Sequence, residues 1–232
     1  MGIAETPPAV QIKLYNSGNF FDTEAITPAD YASIANLVKS FRTVIVECHP
    51  RLVGVSCLEF KSLLRPDLQL AMGLEIAHPD VLGKLNKRMT LVDFERAVAF
   101  LNKNDISIRA FILLNPPFLS EGKSVYWAKR SIDFAFDAGV ECCVVIPTRP
   151  GNGALDQLKK EGLFIQPRIE AIEEVLAYGI GKKYGRVFAD LWDIRQFSVC
   201  SVCTSQRIER LQSMNLFQKM MEPVQCDFCH NQ

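Results

Sequence analysis

Short apolar runs rich in β-branched residues alternate along the chain with longer stretches whose apolar positions recur at helical spacing. The runs 10–15, 43–47, 68–74, 108–114, 141–147 and 186–190 have the length and composition of buried strands. Between them, helical patterns lie near 28–41, 56–64, 91–104, 123–137 and 168–179. Thr27-Pro28 reads as a cap followed by proline in the first turn, and Thr90 with Asp93 resembles a capping box ahead of Phe94, Val98 and Leu101 on one face.

Repetition of strand and helix predicts an α/β fold of about six parallel strands, because parallel neighbours need a crossover helix. Pattern alone leaves a doubly wound sheet and a full or partial β/α barrel both open. Either one gathers ligands at the carboxyl ends of the strands. The segments there are Asn16-Ser17-Gly18, Glu47-Cys48-His49-Pro50, Gly73-Leu74-Glu75, Asn115-Pro116-Pro117, Thr148-Arg149-Pro150-Gly151 and Asp190-Leu191-Trp192-Asp193. Taken one by one they are ordinary turns and solvated charges. As a set at one mouth, with Glu47, Glu75, Asp190 and Asp193 as acceptors, they predict a small-molecule site. His49 and His78 lack triad or metal spacing, and Lys84, Lys87 and Arg88 read as a solvated basic helix end.

Composition narrows the class. Apolar residues make up 48% and charged residues 22%, enough for a sizeable core, and Lys+Arg balance Asp+Glu at 26 each, so no global field draws the chain to nucleic acid or anionic lipid. No apolar run spans a bilayer and the first residues lack a signal-peptide pattern, which together predict a cytoplasmic protein with no membrane partner.

The eight cysteines then divide. Cys142 and Cys143 sit in an apolar run as small hydrophobes, and Cys48 and Cys57 have no paired spacing. Cys200-Ser-Val-Cys203 and Cys226-Asp-Phe-Cys229 are different: each two-residue gap lets both thiolates grip one ion, and four thiolates satisfy zinc or hold an iron–sulfur cluster. His230 is a substitute ligand. Between the pairs, Ile208, Leu211, Leu216 and Met220 recur near helical spacing, with Arg207, Arg210 and Lys219 interleaved as an RNA-contact option. The expected organisation is a domain over 1–195 and a metal-binding tail over 196–232.

The strand ends also carry a resemblance. Ile12-Lys-Leu-Tyr-Asn-Ser-Gly-Asn-Phe-Phe-Asp22, with Val44-Ile-Val-Glu47, Met72-Gly-Leu-Glu75 and Phe111-Ile-Leu-Leu-Asn-Pro-Pro-Phe118, resembles the radical S-adenosylmethionine (radical SAM) superfamily. The likeness is to the branch that includes the archaeosine-synthase radical SAM subunit and the Elongator catalytic subunit. It implies a partial TIM-like β/α barrel, S-adenosylmethionine and a [4Fe–4S] cluster as cofactors, and radical modification of a substrate such as RNA. By the same resemblance Asn16, Ser17 and Gly18 would receive the methionine amino group, Glu47 would lie near the methionine moiety, Glu75 near the ribose, and Lys87 would replace an arginine that holds the carboxylate.

One departure is decisive for the chemistry. No Cys-x-x-x-Cys-x-x-Cys occurs in the 232 residues, and the first strand resembles the family's second. The expectation is a shortened radical-SAM-like chain, or a lineage that kept the barrel, inactive alone in either case. The alternative is a non-enzymatic module that binds a ligand or partner and carries a structural zinc. A first strand without its expected neighbour also predicts self-association through an open sheet edge.

Overall fold

The computed structural model describes residues 9–15, 18–120, 122–151 and 153–230. Six strands form: β1 (Gln11–Leu14), β2 (Thr43–Glu47), β3 (Asp67–Glu75), β4 (Ser107–Leu114), β5 (Cys142–Pro147) and β6 (Arg186–Ala189). Their order in the sheet is sequential, β1 through β6. A doubly wound sheet reverses its strand order part-way, so sequential order selects the β/α-barrel type. The expected α/β class with six parallel strands and a four-cysteine cluster near the carboxyl end is what the chain adopts.

Backbone contacts divide the chain into two compact units, with boundaries after Gly73 in β3 and after Ala110 in β4. In the first unit β1 pairs parallel with β2, and β2 with β3. Val44, Ile45 and Val46 of β2 are wholly buried, whereas β1 alternates between exposed and half-buried, as an outer strand does. Helices α1 (Tyr31–Leu37), α2 (Val55–Leu63) and α4 (Leu91–Lys103) belong to this unit. Phe20, Phe21, Tyr31 and Phe60 interlock with ring centroids 4.7–6.2 Å apart. Thr90 caps α4 through the expected box: its hydroxyl accepts from Asp93 N–H at 3.2 Å, and the Asp93 carboxylate accepts from Thr90 N–H at 2.8 Å.

The second unit contains α3 (Pro79–Lys84), α5 (Ser124–Ala138, to Asp137), α6 (Ala154–Lys160), α7 (Ile169–Lys182), α8 (Thr204–Phe217) and α9 (Asp227–His230). Here β5 pairs parallel with β6. A Cβ placed on Gly179 of α7 would stand 2.7 Å from Val187 Cγ1, so only glycine allows α7 this close to β6. The free edge of β6 is covered by the side chains of Asn215 in α8 and of Gln218, the residue that follows it. Gln218 Oε1 accepts from Val187 N–H and Gln218 Nε2 donates to Val187 C=O, both at 2.9 Å. Asn215 repeats the pattern on Ala189 at 2.9 and 2.8 Å. The two amides supply the hydrogen bonds a further strand would have made.

One expectation about α8 is corrected. Ile208, Leu211 and Met214 form its buried face, but Leu216 is 75% and Met220 63% exposed. Leu216 lies five residues past Leu211 and so turns off the face, and α8 ends at Phe217 with Gln218 in the left-handed conformation. Short helices α6 and α9 went unpredicted, and α3 was read only as a basic helix end.

Candidate functional site

The metal-ligand candidates converge. Cys200, Cys203, Cys226 and Cys229 bring their Sγ atoms within 4.8 Å of one another, with Cys200–Cys226 at 3.8 Å and Cys203–Cys229 at 3.6 Å. The group can hold a metal ion. Cys203 immediately precedes α8 and Cys226 immediately precedes α9, so each pair closes a tight turn at a helix start. The Cys203 N–H, helped by Cys229 and the Val202 N–H, holds the Cys200 thiol down to about 6, favouring the thiolate a metal needs. The Cys229 thiol, which donates to Cys200 and Cys203, is pushed up to about 12. His230's side chain lies outside the described residues.

Sequence reasoning missed what surrounds the cysteines. Arg207 donates its Nε–H to Cys203 Sγ at 3.2 Å, and its Nη1 pairs with Glu173 of α7. Arg210 takes the other Glu173 oxygen at 3.0 Å and donates to Met221 C=O and Glu222 C=O at 2.9 and 2.8 Å. Glu173 and Arg207 are buried. Both arginines are therefore engaged in fixing the metal turn and the segment leading to Cys226, a role that the alternation of charge along α8 did not distinguish from a solvent-facing one. The other four cysteines are buried and form no disulfide: Cys142 and Cys143 are core residues as read, and burial pushes the Cys143 thiol up.

Of the strand-end candidates, Asn16 and Ser17 lie outside the described residues. In the first unit the segment after Gly18 is tied to the end of β2: Phe20 N–H donates to Glu47 C=O at 2.8 Å, and Asn19 Oδ1 accepts from His49 N–H at 2.6 Å. That brings the Gly18 turn beside Glu47. In the second unit Lys87 Nζ meets Glu75 Oε1 at 2.8 Å, so two candidates separated by twelve positions in sequence form an ion pair. Glu75 is buried and carries φ +64°; Asn115 at +56° and Asp193 at +49° follow β4 and β6 in the same unusual backbone region. Left-handed non-glycine residues at strand ends mark positions under local constraint, and such constraint clusters at functional sites.

Arg149, two residues beyond β5, bridges to the loop beyond β6. Its Nη1 meets Asp190 at 2.8 Å and its Nη2 donates to Trp192 C=O at 2.6 Å. Asp190 was read as an acceptor for ligand; its carboxylate is occupied by Arg149 and by Trp192 N–H at 3.1 Å.

No protein-family model matches the chain. It is 26% identical over 93% of its length to an archaeosine synthase subunit beta from Methanosarcina acetivorans, covering 65% of that protein. To the subunit of the same name from Thermococcus kodakarensis it is 30% identical over 52% of its length, covering 39% of that protein. These relatives agree with the resemblance carried by the strand ends, whose branch includes the archaeosine-synthase radical SAM subunit. Among solved structures, archaeal Methanocaldococcus infernus Elp3 with residues 1–46 deleted superposes with a TM-score of 0.68 at 15% identity, over 92% of this chain and 56% of that one. At that identity the likeness shows the fold. The chain spans less than two thirds of the curated relatives it matches. Among the described residues no helix is long and apolar enough to cross a membrane.

Proposed function

We propose that the chain supplies the barrel strands and a structural zinc module of a radical SAM enzyme that modifies RNA. The observation that carries the reading is the convergence of kinship and site: relatives named as archaeosine synthase subunits, together with acidic and basic side chains fixed at the strand ends. That name is also what brings RNA and a partner subunit into the proposal. The outer position of β1, next to β2 at one end of the strand order, supports pairing with a second copy.

Zinc is favoured by the sulfur spacing. Thiolates about 2.3 Å from one ion stand about 3.8 Å apart at the corners of a tetrahedron, against the 3.8 and 3.6 Å seen here. A [4Fe–4S] cluster binds each thiolate through a different iron and needs wider spacing.

S-adenosylmethionine with a [4Fe–4S] cluster supplies a 5′-deoxyadenosyl radical in this superfamily. Asn16, Ser17 and Gly18 would receive the amino group of the cofactor, with Glu47 beside that turn accepting from it. Glu75 would accept from the ribose hydroxyls, and Lys87, held at 2.8 Å by Glu75, would offer its ammonium to the carboxylate. Lysine keeps the charge of the family's arginine without the planar fork.

A second reading has its own support. The four converging thiolates also suit a ligand- or partner-binding module in which zinc is a structural staple. One pair of measurements separates the two. Calorimetric titration should find S-adenosylmethionine bound on the order of millimolar, about −4 kcal/mol, and weaker in Lys87→Met. Anaerobic reduction with dithionite should yield no 5′-deoxyadenosine from the 232 residues alone. Formation of 5′-deoxyadenosine would overturn the placement of the cluster ligands elsewhere, and no binding at any concentration would favour the module.

A further inference from the structure

Trp192 is the large aromatic side chain most at odds with its surroundings. It is 72% exposed, three residues beyond the end of β6. Yet it is held firmly at its backbone. Its N–H donates to Asp190 Oδ1 at 3.1 Å, and its C=O accepts from Arg149 Nη2 at 2.6 Å. The same Asp190 carboxylate meets Arg149 Nη1 at 2.8 Å, closing a ring of three residues. The Arg149 guanidinium carbon lies 5.4 Å from the centroid of the Trp192 ring and 5.4 Å from that of Phe197, which is buried. A pinned cation therefore sits between a core aromatic and the exposed indole, and one large π-face remains in solvent.

We infer that Trp192 is a stacking platform for an unpaired nucleobase of an RNA substrate, with Arg149 as its positioning residue. This rests on the RNA-modifying reading above and adds to it the residue that takes a base. Three features favour a base over a protein partner. The loop that carries the indole is polar at its exposed positions next in sequence, Asp193, Arg195 and Gln196. A protein hot spot is instead ringed by groups that exclude water. A stacked base presents donors and acceptors at its edge, which an amide, a carboxylate and a guanidinium within four residues of the ring can meet. Finally, the loops after β5 and β6 are at the carboxyl ends of their strands, where ligands of β/α folds collect. Immobilising the ring in advance lowers the ordering cost of stacking, as a platform requires.

The test uses the full chain with metal bound and two labelled probes: a short single-stranded oligoribonucleotide and an abasic ribose–phosphate oligomer of equal length. Fluorescence anisotropy should show that Trp192→Ala weakens the oligoribonucleotide about tenfold, that Trp192→Phe keeps most of the affinity, and that the abasic oligomer binds no better to wild type than to Trp192→Ala. In Trp127→Phe, which leaves Trp192 as the only indole, the base-bearing oligomer should quench tryptophan emission and the abasic one should not. RNA binding that is unchanged in Trp192→Ala and leaves emission unquenched would overturn the platform while sparing the RNA reading, and would leave the ring to a protein partner. Equal binding of the two oligomers would reduce the site to phosphate contact and overturn it as well. If neither oligomer binds, both readings fall.

Discussion

Gln218 grips Val187 by both of its backbone groups, donating to the C=O and accepting from the N–H at 2.9 Å each. Two residues along β6, Asn215 does the same to Ala189. Alternate residues of a strand point their backbone groups to one side, so this pair of amides meets the outward groups of β6. The inward groups go to β5, where Arg186 N–H reaches Glu141 C=O and Asp190 N–H reaches Val145 C=O.

Removing those amides should expose the edge. Leucine at 215 or 218 leaves a donor and an acceptor of β6 without their partner, at about 1–3 kcal/mol for each group that stays buried. Urea unfolding should show lower stability in Asn215→Leu and Gln218→Leu, and light scattering should show concentration-dependent association in the double variant. Unchanged stability in both would mean that water replaces the amides at no cost.

The metal module makes a second expectation. Elemental analysis of chain purified without chelator should find about one zinc per chain, and Cys226→Ser should lose it. Arg207→Met removes the hydrogen bond to Cys203 Sγ and leaves Glu173 with Arg210. Loss of an outer-shell partner typically weakens metal binding about 10–100-fold, measurable by competition with a chromogenic chelator. Arg207→Lys should recover part of it. Retention equal to wild type in Arg207→Met would make that contact purely structural.

A third expectation concerns acid. The N–H and hydroxyl of Thr90, together with the nearby Arg51 and Arg96, hold the Asp93 carboxyl below its ordinary value of 3.8. A depressed carboxyl contributes stability that is fully present above the unfolded value and is lost as pH falls through the lower folded one. Asp93→Asn should therefore narrow its deficit against wild type below about pH 4, and Thr90→Ala should cost about 1 kcal/mol at neutral pH. Thermal melts across that range check both; a deficit of Asp93→Asn that is flat with pH would remove the carboxylate from the cap.

Much of the fold could be read directly from the chain because its causes are local. Runs such as Val44-Ile-Val46 bury on both faces of a parallel sheet, and the Thr90–Asp93 cap is complete within four residues. The two Cys-x-x-Cys turns also carry their geometry in their spacing. The short helix α6 escaped notice because seven residues hold too few apolar positions to show a period.

The sequence by itself determined the alternation of strand and helix, the cysteine pairs and the motifs at the strand ends, since each is written in neighbouring residues. Only the tertiary structure decided which charges meet. Lys87 reads as a solvated helix end until the turn after α3 returns it to Glu75, and Arg207 and Arg210 read as a basic surface until α7 presents Glu173. Nor does any local pattern tell Asn215 and Gln218 to serve as a strand edge, or Arg149 to lie under Trp192. Those partners are separated by twelve to forty-three positions, and a long-range contact depends on how elements pack rather than on the residues beside it in the chain.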